Sequence, residues 1–162
     1  MKPTTREQFE PLVRAYSSTV YRVAYQALKN HADAEDVMQT VLLKLFETDV
    51  DFESREHVRA WLIRVAVNES RKILRTPWRR RVLPLEEGQD LPVFDNRAQS
   101  DLFSAVMALP RNYRMAVYLF YYEELPTAEI ARAMSANPST VRTWLRRARE
   151  KLKLDLTTPK EV

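Results

Sequence analysis

Residues 127–153 read TAEIARAMSANPSTVRTWLRRAREKLK, two helical patterns split by a short break, and this stretch decides the fold class. In the first pattern Ile130, Ala131 and Met134, with Leu125 just ahead, fall on one side at helical spacing. Pro126 and Thr127 precede it as start signals; Thr127 is the expected N-cap, and Glu129 supplies the acid that suits a first turn. The small Ala131 lets a second helix cross closely at a steep angle. The break Ser135-Ala136-Asn137 holds no glycine; Asn137 is expected to take the left-handed conformation, and Pro138 opens the next helix with its φ already set.

In the second pattern Val141, Leu145 and Ala148 recur at helical spacing and face inward, while Arg142, Arg146, Arg147, Arg149, Lys151 and Lys153 meet only Glu150 as an opposing charge. Such a face can be merely solvated. Placed behind a helix and a tight turn, it has the form of a DNA reader, whose first residues meet base edges in the major groove while later arginines neutralise phosphates. Ser139, Thr140, Arg142, Thr143 and Arg146 are therefore the candidates for reading sequence, and Arg147, Arg149 and Lys151 for anchoring the backbone.

The 162 residues, 45% of them hydrophobic, suffice for one domain or two small helical ones. The formal charge is +4, but the arginines are clustered, and local clustering is what a polyanionic partner requires. With no cysteine, disulfides and thiolate metal sites are excluded. A single glycine, Gly88, leaves no glycine-rich phosphate loop. His31 and His57 stand apart without ligand spacing and are expected at the surface, and the adjacent carboxylates Glu35-Asp36 and Glu86-Glu87 point different ways on a helix. No catalytic constellation emerges, so neither an enzyme nor a bound cofactor or metal is expected. No apolar run reaches the length of a membrane span, and residues 1–10 lack the core of a signal peptide; a cytoplasmic protein without stable membrane insertion is expected.

Upstream, Gln8 to Lys29 carries Phe9, Leu12, Val13, Tyr16, Val20, Val23, Ala24, Ala27 and Leu28 at three- and four-residue steps, which predicts one or two amphipathic helices. Asp33 is expected to head a helix from Ala34 to about Glu47, with Val37, Val41, Leu42, Leu45 and Phe46 as its buried stripe and Leu43 left beside acids and an amide on another face. Thr48 to Glu56 reads as a polar loop with one anchor, Phe52. From His57 to Arg75 a third helix buries Val58, Trp61, Leu62, Val65, Ala66 and Ile73 and turns Arg59, Arg64, Asn68, Arg71, Lys72 and Arg75 outward, a second basic surface extended by Arg79, Arg80 and Arg81. The Pro- and acid-rich stretch 76–97 reads as a linker between a domain at 1–75 and another at 98–162. Helix resumes from Arg97 to Leu109, with Leu102, Phe103, Val106 and Leu109 inward, and again from Tyr113 to Tyr122, with Met115, Ala116, Leu119 and Phe120 as its core set; Thr157 to Val162 is expected to fray. The fold class is all-α, in two small helical domains.

Three of these stretches, in order, resemble bacterial alternative sigma factors of the extracytoplasmic-function type, members of the sigma-70 family. DAEDVMQTVLLKLF (33–46) is similar to the region-two helix of that family, RAWLIRVAVNESRKILR (59–75) to the promoter-melting helix that follows, and ALPRNYRMAVYLFYYEELPTAEIARAMSANPSTVRTWLRRAREKLK (108–153) to region four. The resemblance implies a subunit that binds core RNA polymerase through Asp36, Gln39 and Leu43. It further implies that the loop 51–57 and the next helix hold the separated non-template strand of the minus-ten element, with a flipped base in a loop pocket; Phe52, Ser54, His57, Arg59, Arg64 and Asn68 fall on that surface, while Trp61 packs the core. The minus-thirty-five duplex falls to Ser139, Thr140, Arg142, Thr143, Arg146 and Arg147. Thr40 stands where the family often carries an acid, Ser135 where it carries the turn glycine, and Trp144 where an arginine is frequent. Control by a separate anti-sigma protein is the expectation the family brings. The alternatives are a helix-turn-helix regulator that binds duplex DNA without polymerase, using residues 8–75 to dimerise or sense, and a helical adaptor that binds only proteins.

Overall fold

The computed structural model describes residues 5–76 and 97–157, every regular element among them is helical, and the chain divides into two compact units, Met1–Gln89 and Asp90–Val162. Most of the linker expected at 76–97, with Arg79, Arg80, Arg81 and Gly88, lies outside the described residues, as does the chain end beyond Thr157.

The first unit is a bundle of α1 (Arg6–Leu28), α2 (His31–Glu47) and α3 (Arg55–Arg75), each packed on the other two. Leu12, Val20, Val23 and Ala24 of α1, Val37, Val41 and Leu45 of α2, and Val58, Leu62, Ile63 and Ala66 of α3 form the core. Lys29 adopts the left-handed conformation (φ 53°) and closes α1, and Asn30 at once caps α2 by accepting the N–H of Asp33 at 2.9 Å. The cap is thus Asn30 and not Asp33. Asn and Asp cap equally well, and the one-residue closure of α1 leaves only the earlier site; Asp33 instead sits within the first turn, where its charge suits the dipole. Phe46, expected inside, is 42% exposed and meets Phe9 edge to face at 5.2 Å. α3 begins at Arg55, two residues before the expected start, because Ser54 caps it. Tyr16 of α1 donates to the Arg55 carbonyl at 3.4 Å, tying the start of α3 to the bundle.

The second unit holds α4 (Arg97–Met107), α5 (Arg111–Val117) with a wide π turn at Tyr118–Tyr122, α6 (Thr127–Met134) and α7 (Pro138–Thr157). α7 packs against α4, α5 and α6 over Leu109, Met115, Leu119, Ile130, Met134, Val141, Leu145 and Ala148. α5 starts at Arg111, behind Pro110, and not at Tyr113. Arg114, only 3% exposed, donates to the carbonyls of Leu109 (3.0 Å), in the connection before α5, and of Met107 (3.5 Å), the last residue of α4. Burial, and then the neighbouring charge of Arg111, push its guanidinium down to about 10, still protonated at neutral pH. Phe120 is half-buried and Leu102 47% exposed, so both lie at the edge of the core and not within it. Tyr118 donates to the buried Glu123 carboxylate at 2.8 Å, so the π turn is pinned internally.

Two local expectations change at α6. Its N-cap position is Pro126, with no side-chain cap, and Thr127 is already helical. The left-handed residue of the turn is Ser135 (φ 53°, ψ 48°), not Asn137: Ala136 N–H reaches back to the Ala131 carbonyl at 2.9 Å, the helix-ending pattern that requires a positive φ one residue earlier.

Candidate nucleic-acid and docking faces

Val37, Val41 and Leu45 turn one side of α2 into the bundle, and the opposite side leaves Asp36, Gln39, Thr40 and Leu43 exposed at i, i+3, i+4 and i+7. Leu43 is 60% exposed. The three residues expected to dock polymerase therefore share one face with Thr40. Beside them runs a shallow cleft of about 240 Å³ between α2 and α3, lined by Asp36, Val37, Thr40, Glu69, Lys72, Ile73 and Thr76. Glu69 fixes its floor, accepting from Lys44 Nζ at 2.6 Å and Lys72 Nζ at 3.0 Å. Burial by itself raises the Glu69 carboxyl, but the two ammonium hydrogen bonds and their charges outweigh it, and Glu69 titrates below its ordinary range. The same hydrogen bond raises Lys44. This hub joining α2 to α3 escaped sequence reasoning, because Lys44 and Glu69 are far apart in the chain.

On α3, His57, Trp61, Arg64, Asn68, Arg71 and Arg75 recur at alternating four- and three-residue steps, and none of them is buried. They form a stripe about 27 Å long, at 1.5 Å per residue. His57, Arg64 and Asn68 are brought together on it; Arg59 lies roughly 140° round the helix from Arg64, given about 100° per residue. Arg71 and Arg75 belong with the stripe although only their position on the basic face was read from sequence; the spacing alone could have placed them. Burial, followed by the charge of Arg75, lowers Arg71.

Phe52 is 1% exposed and sits edge to face with His57 (5.0 Å) and Trp61 (5.7 Å). Its ring is thus the anchor of the loop and not a contact surface, because folding the loop onto α3 gives this one apolar residue a place to bury. Trp61 is half-buried and meets Phe52 edge to face. Ser54 is exposed, but its hydroxyl is engaged: Oγ accepts from His57 N at 3.1 Å. His57 is half-buried rather than on the surface, and Nδ1 accepts the Glu53 N–H at 3.1 Å; His31 likewise is half-buried, bonded to Tyr21 Oη at 2.6 Å.

On α7, Ser139, Arg142, Thr143 and Arg146 line up at i, i+3, i+4 and i+7, opposite the buried Val141, Leu145 and Ala148. Arg142 and Arg146 are exposed; Thr143 donates to the Ser139 carbonyl at 3.1 Å, which keeps its oxygen outward as an acceptor. Thr140 and Arg147 share an adjacent line, roughly 80–100° round the helix. Two tyrosines of the preceding segment reach the basic side chains: Arg147 donates to Tyr113 Oη at 3.5 Å and Arg149 to Tyr121 Oη at 2.8 Å. Sequence reasoning missed these tethers, having placed no role on either tyrosine. Trp144 is half-buried. Among the described residues no cluster of His, Cys, Asp and Glu could hold a metal ion, and no helix is long and apolar enough to cross a membrane.

Comparison with known proteins agrees with these two units. Residues 12–80 match sigma-70 region 2, and residues 100–152 match sigma-70, region 4. The chain is 27% identical over 162 residues to the RNA polymerase sigma factor SigV of Bacillus subtilis, covering 96% of this chain and 95% of that one. It is 30% identical over 151 residues to the ECF RNA polymerase sigma factor SigM of Mycobacterium tuberculosis, covering 91% of this chain and 76% of that one. In fold it is similar to the sigma factor RpoE of Bartonella quintana, solved in complex with the anti-sigma factor NepR, with a TM-score of 0.72 at 19% identity over 95% of this chain and 99% of that one. With region 2 on the three-helix bundle, region 4 on the helix-turn-helix unit, and a 30% identical relative matched over most of its length, the chain belongs to the extracytoplasmic-function RNA polymerase sigma factors of the sigma-70 family.

Proposed function

We propose that this sigma factor divides its work among three faces. Asp36, Gln39 and Leu43 on α2 dock core RNA polymerase; the α3 stripe with His57, Arg64 and Asn68, flanked by Arg59 and Ser54, holds the opened minus-ten strand; Ser139, Thr140, Arg142, Thr143, Arg146 and Arg147 on α7 read the minus-thirty-five duplex. Phe52 serves the second face only by anchoring its loop. The domains that carry these roles are 1–75 and 98–162, joined by 76–97. The observation that carries the reading is that most of each predicted set meets on one unburied helix face, Asp36, Gln39 and Leu43 on α2, His57, Arg64 and Asn68 on α3, and Ser139, Arg142, Thr143 and Arg146 on α7, with polar and apolar groups mixed on the docking face and cations on the other two. A cationic stripe beside half-exposed aromatics suits single-stranded nucleic acid. Cationic and hydroxyl groups on the first turns of a helix suit a major groove.

Members of this family are not enzymes, and the chain contributes binding energy and no chemistry of its own. Two weak DNA contacts linked on one polymerase gain by effective concentration, so neither face needs high affinity alone. Each contact weakens with salt as phosphates exchange counterions for arginines. The protein works in the cytoplasm and is held in check by a separate anti-sigma protein, as the solved pairs RpoE with NepR and CnrH with CnrY suggest by analogy of fold.

The test is transcription by sigma-free core polymerase on promoter fragments, with and without the chain. Chain-dependent transcripts from defined starts are expected, and Asp36→Lys abolishes them while leaving the fold and duplex binding intact. Tight binding to a symmetric duplex site without polymerase, and no transcripts with it, would instead make the protein an ordinary helix-turn-helix regulator.

A further inference from the structure

The loop ahead of α3 is fastened to that helix at three points, and the three meet at one residue, two of them at its imidazole and one at its backbone N–H. Glu53 donates its backbone N–H to His57 Nδ1 at 3.1 Å, Ser54 Oγ accepts from His57 N at 3.1 Å, and the buried Phe52 ring lies 5.0 Å from the His57 ring. A backbone N–H can only donate, so Nδ1 is the bare nitrogen of a neutral ring and the proton sits on Nε2. Nε2 has no hydrogen-bond partner among the described residues and is not a buried, unsatisfied atom. The Nε2–H donor therefore opens to solvent. It does so at the loop end of the stripe that continues through Trp61, Arg64, Asn68, Arg71 and Arg75. The loop itself exposes Asp49, Asp51 and Glu53, carboxylates that only accept and that repel phosphate, so a strand following the arginines arrives at a ring that can donate.

We propose that His57 is the positioning residue of the strand-holding loop and that its two nitrogens act separately: Nδ1 holds the Glu53 amide, and with it that end of the loop, onto α3, and Nε2–H donates to an acceptor atom of the unpaired strand lying along the stripe. This deepens, and rests on, the assignment of α3 to the minus-ten strand. Asparagine and glutamine separate the two roles, because an Asn Oδ1 takes the place of Nδ1 and a Gln Nε2 takes the place of the imidazole Nε2.

Two readings on the full chain test it: hydrogen exchange at the Glu53 amide for the lock, and affinity of the core-bound chain for a single-stranded minus-ten oligonucleotide for the donor. His57→Asn is expected to leave exchange within about twofold and to weaken strand binding about tenfold, the worth of one hydrogen bond. His57→Gln shows the opposite pattern, with about tenfold faster exchange and affinity nearly kept, and His57→Ala loses both. Abasic substitution that cancels the asparagine penalty at one nucleotide assigns the acceptor to a base; cancellation by a neutral methylphosphonate assigns it to a phosphate. Strand affinity unchanged in His57→Asn overturns the donor role, and Glu53 exchange unchanged in His57→Gln and His57→Ala overturns the lock. If the unmutated chain starts no transcripts with core polymerase and binds no minus-ten strand, the assignment of α3 fails and takes the donor role with it, whereas strand binding that is kept and unchanged in His57→Asn overturns the donor role alone.

Discussion

Replacing Ser135 by glycine is expected to stabilise the helix-turn-helix unit. Ser135 holds φ 53° and ψ 48°, a conformation the turn demands because Ala136 N–H must reach the Ala131 carbonyl at 2.9 Å. For a residue with a Cβ the left-handed region costs about 1–2 kcal/mol. Glycine removes that cost but loses about 0.5–1 kcal/mol more chain entropy on folding. The Ser135 side chain is exposed, with no hydrogen bond among the described residues to forfeit. The difference is a net gain of about 0.5–1 kcal/mol, a rise in Tm of about 2–8 °C for a unit of this size. Urea and thermal melts of the full chain, with hydrogen exchange at the Ala136 amide reporting on this unit, would measure it. Ser135→Ala should change little, and Ser135→Val should lose stability, since a β-branched side chain tolerates positive φ poorly. A glycine variant less stable than the parent, or a valine variant equal to it, would mean that Ser135 is not held left-handed and that the turn is built otherwise.

Alanine at Arg142 or Arg146 should cost about 1–3 kcal/mol at particular upstream base pairs, measured across a promoter library. A loss uniform over all sequences, with a shallower salt dependence, would reassign them to phosphates. Phe52→Ala should destabilise the first unit by about 3–5 kcal/mol in denaturant melts, with strand binding falling only as the fold does; a stable variant that had lost strand affinity would return the ring to the contact surface. Glu69 titrates below its ordinary 4.5, so its pairing with Lys44 and Lys72 stabilises fully above that value and is lost as pH falls through the lowered one. Lys44, raised above 10.5, loses its share only as pH climbs through the raised value. Both lysines are about half-exposed, so Glu69→Gln should cost less than about 1 kcal/mol at neutral pH and flatten the acid limb of the stability curve, as melts between pH 3 and 7 would read.

Much of this architecture could be read from residue spacing, because an amphipathic helix declares its inner face at three- and four-residue steps. Val37, Val41 and Leu45, and again Val141, Leu145 and Ala148, lie where periodicity places them. Spacing does not reveal how wide a stripe is: Phe46 and Leu102 continue the pattern but are 42% and 47% exposed. Nor does it choose between equivalent caps. Asn30 and Asp33 are chemically alike, and only the closing turn at Lys29 decides between them. Phe52 shows a different shortfall: a lone aromatic in a polar loop is either an anchor or a stacking platform, and the answer depends on whether His57 and Trp61 lie beneath it. The contacts of Glu69 with Lys44 and of Tyr121 with Arg149 are tertiary, and no local pattern encodes them.

Those tyrosine contacts bear on how DNA would be met. An arginine loses rotamer freedom worth about 0.5–1.5 kcal/mol when a phosphate immobilises it. Arg149, already resting on the Tyr121 hydroxyl, and Arg147, near that of Tyr113, have surrendered part of that freedom before any duplex arrives. Each phenol occupies one of five guanidinium donors and leaves the others for phosphate oxygens. The recognition helix is thus partly pre-set for its backbone contacts, and removing the two hydroxyls with phenylalanine would appear chiefly in the entropy of binding, as a helix that recognises the same promoter with side chains that have farther to settle.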